Sequence, residues 1–371
     1  MARVLFVTWD GGGNVAVALG IAGALRVRGH HVAMVGPASL RGSVEAIGVE
    51  YAELGLCPPR DPRSRSEYLV DVVGSTSLPA ELHLLIEELR PGILVIDCNL
   101  SWALEMSVAV PVAVLVHTAL GLYLPVWQEV IDAANRRRLA SGLAALEPAV
   151  VSWSSREALI VASLFDFDRP PTPLPDNLAY VGPVRRVFRD GPSTVPPADP
   201  SGLPLVLVSY STDRLQNNPE RLQAALDGLA HLPVKVLATT SGTFEPTRLL
   251  APPNATVVND LFHEQVMPLA RAVVAHAGHG TTLAALCHGV PMVCVPGLGR
   301  DQVPIAERVA ELGLGVMLAS DAAAEDIGGA VSHLLDDGSY RQRAGEFKRL
   351  WGDRDGATAG AAFLENRLLL R

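Results

Sequence analysis

The chain has 371 residues, 49% of them apolar, with a mean hydropathy of +0.26. That is too long for one hydrophobic core and rich enough for two, so two domains are expected. A net charge of -9 argues against a broad basic surface for nucleic acid, and with Lys235 and Lys348 as the only lysines a Schiff-base mechanism has little support.

In chain order, Arg3 to Thr8 reads as a short apolar strand and Asp10-Gly-Gly-Gly13 as a turn. A helix follows from Val15 to Arg28, stopped by Gly29. Val32 to Val35 is a second strand, completing a βαβ unit whose strands are apolar on both faces. Leu82 to Leu89 is an amphipathic helix. Strands Ile93 to Ile96 and Val112 to Val116 end at Asp97 and His117, where open α/β sheets place their ligands. Asn135 to Leu143 reads as helix, Phe165 to Asp176 as turns, and Tyr180 to Pro183 closes this half.

Arg189 to Pro204 carries five prolines and two glycines and reads as a linker. The pattern then restarts. Leu205 to Val208, Val234 to Ala238, Ala255 to Asn259, Val273 to Ala275 and Pro291 to Val295 read as strands. Pro219 to Leu229, Ile305 to Leu312 and Ala330 to Leu335 read as helices. The domains expected are 1–188, a linker at 189–204, 205–345, and a tail at 346–371 that returns to the first domain. Two open α/β domains with a cleft between them are the architecture that fits.

The turn His276-Ala-Gly-His-Gly-Thr-Thr282 sits between an apolar strand and a helix-forming run. A glycine-rich helix start offers free N–H groups to a phosphate. No lysine follows, which sets it apart from a P-loop. A diphosphate here is held by amides, hydroxyls and His276, whose positive charge would assist a departing diphosphate. Ser211 and Thr212, after the strand at 205–208, offer further hydroxyls or simple turn caps. Asp301 and Gln302 suit sugar hydroxyls, although Asp301 equally suits a helix cap.

Gly11, Gly13 and Ala16 imitate a dinucleotide fingerprint, but the second strand ends Val35-Gly36-Pro37 without the acidic residue that holds a ribose. Cys57, Cys98, Cys287 and Cys294 form no CxxC pair, so no zinc or disulfide framework is expected. No signal peptide and no apolar run of membrane-spanning length is read, so a cytoplasmic protein is expected.

These motifs resemble a family. His276 to Pro291, then Pro296, Asp301-Gln302, Ala306-Glu-Arg-Val309 and Leu312-Gly-Leu-Gly315, with Asn14-Val15 and Arg28-Gly29-His30, are similar to the macrolide, aromatic-polyketide and enediyne antibiotic glycosyltransferases. The resemblance implies a GT-B fold, two Rossmann-like α/β/α domains facing each other across a cleft. It implies an inverting transfer of a sugar from a nucleotide diphosphate, typically a dTDP-deoxysugar, to a phenolic or polyketide aglycone, with no metal. His276, Gly278, His279, Gly280, Thr281, Ser211 and Thr212 would hold the diphosphate, Asp301 and Gln302 the sugar, and Phe262 and His263 the base. A small hydrophobic acceptor would sit in the first domain, and a homodimer is compatible with the family.

One departure stands out. The resemblance puts a catalytic histidine in the turn after the first strand, and this chain has Asn14 there. Asp10, in the same turn, is the first candidate base; Asp97 and His117 are the others. A carboxylate is a workable base for a phenol of pKa about 10 and a poor one for an alcohol. Asn14 would position the acceptor or the sugar. Two rival readings are a non-catalytic homologue that activates a partner transferase and a sugar-nucleotide epimerase of the same fold.

Overall fold

The computed structural model describes residues 1–56, 65–185, 202–211, 217–297 and 299–369. Residues 189–201 of the expected linker, Thr212 and Cys57 lie outside them. The chain divides into two units, Met1–Val187 with Asp355–Arg371, and Phe188–Arg354.

The first unit runs β1 (Arg3–Val7), α1 (Gly13–Val27), β2 (His31–Gly36), α2 (Arg41–Glu45), β3 (Glu50–Glu53), α3 (Arg65–Gly74), α4 (Leu78–Leu89), β4 (Ile93–Asp97), α5 (Ser101–Leu104), β5 (Val112–Val116), α6 (Leu120–Ala140), α7 (Ala149–Ser154), β6 (Ala158–Val161) and β7 (Leu178–Tyr180). Its seven strands pair in the order β3-β2-β1-β4-β5-β6-β7, all parallel. Every residue of β4 and β5 is buried, as β-branched and leucine-rich strands covered on both faces require. One side of the sheet packs Val4, Phe6, Val95 and Leu115 under α1; the other packs Leu5, Val7, Leu94, Ile96 and Val114 toward Trp127 and Trp153.

The second unit runs β8 (Leu205–Ser209), α8 (Pro219–Leu229), β9 (Lys235–Thr239), β10 (Ala255–Val258), α9 (His263–Val266), β11 (Ala270–Ala275), α10 (His279–His288), β12 (Met292–Cys294), α11 (Gln302–Glu311), β13 (Gly315–Met317), α12 (Ala324–Asp336) and α13 (Gly338–Trp351). Its six strands pair in the order β10-β9-β8-β11-β12-β13, again all parallel. The fold is therefore two α/β units, each a parallel sheet flanked by helices.

α14 (Gly356–Leu364) and a π turn at Glu365–Leu369 belong to the first unit. α14 lies along α1: a Cβ on Gly360 would stand 3.0 Å from Ile21, and Glu365 accepts from both Arg28 and His30, the latter at 2.8 Å.

The helix expected at 135–143 is part of a longer one. α6 starts at Leu120 and continues through Pro125. A proline inside a helix removes one hydrogen bond and reads as a break. Its start is held from elsewhere in the chain: Asp168 accepts from the N–H of Gly121 at 2.9 Å and of Leu122 at 3.1 Å. Gly121 is required at this contact, because a Cβ there would overlap the carbonyl of Arg169 at 1.5 Å. The anchor fixes the backbone just after His117. Among the described residues no single helix is long and apolar enough to cross a membrane.

Candidate functional site

In each sheet the first strand and the fourth of that unit lie side by side, β1 with β4 and β8 with β11. The chain leaves each such pair in opposite directions, so the loops at their C-terminal ends part and leave room for a ligand. Asn14 and Asp97, with His117 from the next strand, gather at the first of these places, and Ser211, His276, His279 and Thr281 at the second.

At the first, Asp97 ends β4, His117 follows β5, and Asn14 lies in the first turn of α1. Asp97 is 1% exposed and Asn14 2%. The Asp97 carboxylate accepts four N–H bonds. Oδ1 takes the Trp9 indole at 3.3 Å and the Asn99 amide at 3.0 Å. Oδ2 takes Asn14 Nδ2 at 3.0 Å and His117 Nδ1 at 3.3 Å. Asn14 is itself fixed, with Nδ2 also reaching the Trp9 carbonyl at 2.8 Å and Oδ1 accepting from the Gly11 amide at 3.0 Å.

Burial alone would lower the pKa of His117, but the Asp97 charge and its hydrogen bond outweigh it and hold the imidazole well above its ordinary value. Cys98 lies 3.7 Å from Nδ1, and burial pushes its thiol pKa up. Asp97, Cys98 and His117 offer three donor atoms within 4.8 Å of one another. They do not fit a metal: a carboxylate has about four acceptor positions, and N–H groups fill all four here. The set fits a buried charge pair.

Asp10, the first candidate base, takes a hydroxyl bond from Ser39 at 2.7 Å. Asn14 instead joins Asp97 and His117, the two other candidates. Sequence reasoning missed Trp9 and Asn99 as carboxylate donors, and Tyr123, whose ring lies 6.1 Å from that of His117 and whose hydroxyl reaches Asn99 at 3.3 Å. Nothing local in the sequence links them.

At the second place, β11 ends at Ala275 and α10 begins at His279, with Gly278 at its N-cap and no side chain capping it. The first-turn amides of a helix have no partner within it. A side chain on Gly280 would stand in open space, whereas Gly278 has no room for one: its Cβ would lie 2.4 Å from His276 Nε2. Ala277 takes a left-handed φ of 60°, a conformation rarely seen outside glycine. His276 is 7% exposed and its Nδ1 has no partner among the described residues; neither does the hydroxyl of Tyr210 or of Thr282. His279 and Thr281 are buried beside them.

The expected charge on His276 is corrected by its surroundings. Burial, then the charge interactions with Arg221 and His263, lower its pKa to about 3, against a Ser209 backbone bond that favours the charged form. His276 is neutral at pH 7 and offers a hydrogen bond, not a charge. The positive charge nearby is Arg221 on α8, which sequence reasoning missed. It donates to the carbonyls of Val295 at 2.7 Å and Pro296 at 3.0 Å and lies 4.9 Å from the centre of the Tyr210 ring.

Ser211 is buried just after β8. His263 opens α9, preceded by Phe262, and its Nε2 meets Ser209 Oγ at 2.9 Å. Asp301 is at the N-cap of α11 without capping it through its side chain. Gln302 is turned inward, and its Oε1 accepts from the Gly297 amide at 2.6 Å, tying down the loop after β12.

A family model described as "UDP-glucoronosyl and UDP-glucosyl transferase" matches residues 112–357. The chain is 31% identical over 212 residues to a 4'-demethylrebeccamycin synthase of Lentzea aerocolonigenes, covering 56% of this chain and 49% of that protein. It is 34% identical over 189 residues to a PGL/p-HBAD biosynthesis rhamnosyltransferase of Mycobacterium bovis (strain BCG / Pasteur 1173P2), covering 50% and 41%. The chain thus spans about half the length of the curated relatives it matches. Among solved structures, the calicheamicin glycosyltransferase CalG4 superposes with a TM-score of 0.80 at 24% identity over 99% of this chain and 98% of that one. The glycosyltransferase VinC in complex with dTDP does so with a TM-score of 0.72 at 18% identity over the whole of both chains. These likenesses show the fold.

Proposed function

Since the chain belongs to the UDP-glucoronosyl and UDP-glucosyl transferase family, we propose that it transfers a sugar from a nucleotide diphosphate to a small aromatic or polyketide acceptor. The second unit binds the donor, and the first unit, with the returning residues 355–369, binds the acceptor. Carrying this reading is the mouth of α10, whose N-cap Gly278 brings no side chain, together with His276 Nδ1 and the hydroxyls of Tyr210 and Thr282, three buried groups that lack partners among the described residues. Leaving buried polar groups unpaired is costly, and an anion accepting from them removes the cost.

The diphosphate is held by the amides of residues 279–281, His276, Ser211 and Thr212. Asp301 and Gln302 meet the sugar, and Phe262 and His263 meet the base. Donors fixed in a dry site stabilise the charge that grows on the diphosphate as its bond to the sugar breaks. Thymidine diphosphate is the nucleotide favoured, because VinC was solved with dTDP and the spinosyn rhamnosyltransferase SpnG with thymidine diphosphate. SpnG was also solved with the spinosyn aglycone, a precedent for a natural-product acceptor. The transfer inverts the anomeric carbon. The protein acts in the cytoplasm.

Calorimetry with thymidine diphosphate and uridine diphosphate tests the donor site; the thymidine nucleotide is expected to bind more tightly. A mass-spectrometric screen of dTDP-glucose and dTDP-rhamnose against 4-methylumbelliferone and 4-nitrophenol tests transfer. Binding of neither nucleotide would sink the reading.

A further inference from the structure

We propose that His117 takes the acceptor's proton, through Nε2, with Asp97 behind it and Asn14 locking that carboxylate in place. The proposal rests on the transfer reading above and adds to it the identity of the base. The acceptor O–H proton passes to His117 Nε2 while the acceptor oxygen bonds to the anomeric carbon. The bond from that carbon to the diphosphate breaks, and its electron pair leaves on the diphosphate.

Geometry carries the assignment. Asp97 Oδ2 holds Nδ1, so Nδ1 keeps its hydrogen and the lone pair of the neutral ring falls on Nε2. Among the described residues no group bonds Nε2, and the side chain is 14% exposed, the most accessible member of a cluster whose carboxylate is buried. Asp97 cannot swing away, because three further N–H donors from Trp9, Asn99 and Asn14 hold it. Asn14 Nδ2 holds Oδ2 from the α1 side at 3.0 Å. The chain thus has its imidazole on the β5 side of the carboxylate and an amide on the α1 side.

The groups facing His117 are Asp97 and Cys98 from the end of β4 and Tyr123 from α6. The raised pKa of the imidazole makes it a stronger base whose active, neutral form appears only above its ordinary titration range. That suits a phenol better than it suits an activated acid.

The test compares the wild-type chain with His117→Gln. Transfer from the dTDP-sugar found active in the screen is followed across pH, with 4-methylumbelliferone and the more acidic 4-nitrophenol. Removing a general base costs about 100-fold or more in kcat/KM, so that loss is expected with 4-methylumbelliferone. A smaller loss is expected with 4-nitrophenol, which needs less help, and thymidine diphosphate should bind unchanged. The wild-type acid limb should lie above the ordinary histidine range and vanish in the variant.

Activity within about threefold of wild type, far short of a general-base effect, or an acid limb that survives the substitution, overturns the role of His117 alone. Failure of the wild-type chain to bind thymidine diphosphate overturns the transfer reading, and the role with it. Long-range proton–nitrogen NMR on the wild-type chain gives a readout independent of turnover. Nε2 should be the nitrogen that loses its proton, and Asp97→Asn should lower the pKa; loss from Nδ1 overturns the assignment.

Discussion

His117 and His276 each lie just past a buried strand of their own unit, β5 and β11, and burial pushes the pKa of both rings down. They end on opposite sides of the ordinary histidine value. His117 meets a carboxylate with every acceptor position filled, and its pKa is held up. His276 meets Arg221 and His263 and is neutral, with Nδ1 unpartnered among the described residues. Burial is common to the two sites, so the neighbour's charge decides. One site has its countercharge built in, whereas the other awaits an anion.

The sharpest way to break the contrast is to remove the carboxylate. Asp97→Asn takes away the charge and sets an N–H among four donors. Breaking a buried pair costs about 3–5 kcal/mol, to be read from urea unfolding at pH 7. A loss too small to measure would mean that solvent already screens the pair.

On the other side, Gly278→Ala drives a methyl group to 2.4 Å from His276 Nε2. Overpacking costs about 1–3 kcal/mol, so thymidine diphosphate affinity is expected to fall about tenfold or more, measured by calorimetry. Unchanged affinity would remove the turn from the binding site.

A pH series separates the two rings by sign. The folded pKa of His276 is about 3, below its ordinary 6.5. The unfolded chain therefore takes up a proton first on acidification. Its share of stability is full above 6.5 and is lost as the pH falls toward 3. The folded pKa of His117 lies above 6.5, so its share is full below that value and is lost as the pH rises through the folded pKa. Each limb has a slope of up to about 1.4 kcal/mol per pH unit. Urea midpoints should show His276→Gln flattening the acid limb and His117→Gln the alkaline one. Both substitutions acting on one limb would refute the opposed signs.

The smallest effect belongs to Asp10→Asn. The new side chain can still accept from Ser39, and transfer to 4-methylumbelliferone should stay within about threefold of wild type, not the hundredfold of a lost base. A larger fall would return Asp10 to the reaction.

The strands that carry these residues were legible because β4 and β5 are apolar at every position up to Asp97 and His117, and such runs suit a sheet covered on both faces. The α10 turn was legible because its small residues are contiguous. Other features depend on partners far away in the chain. α6 was expected only in part, because Pro125 reads as a break and its support, Asp168, lies more than forty residues beyond its start. The Asp97 network joins residues 9, 14, 97, 99 and 117, and local spacing does not reveal which of several carboxylates meets the imidazole. The charge on His276 was misjudged for the same reason: Arg221 approaches from α8, more than fifty positions upstream.

Glu365 answers Arg28 and His30 from the far end of the sequence, and α14 covers α1. The two units therefore mature out of their order of synthesis on the ribosome. The second can close as soon as residue 354 has emerged, while the first, though translated earlier, keeps an apolar helix face bare until residues 355–369 arrive. A premature stop codon in that last stretch would spare the later unit and expose the earlier one to proteases and aggregation.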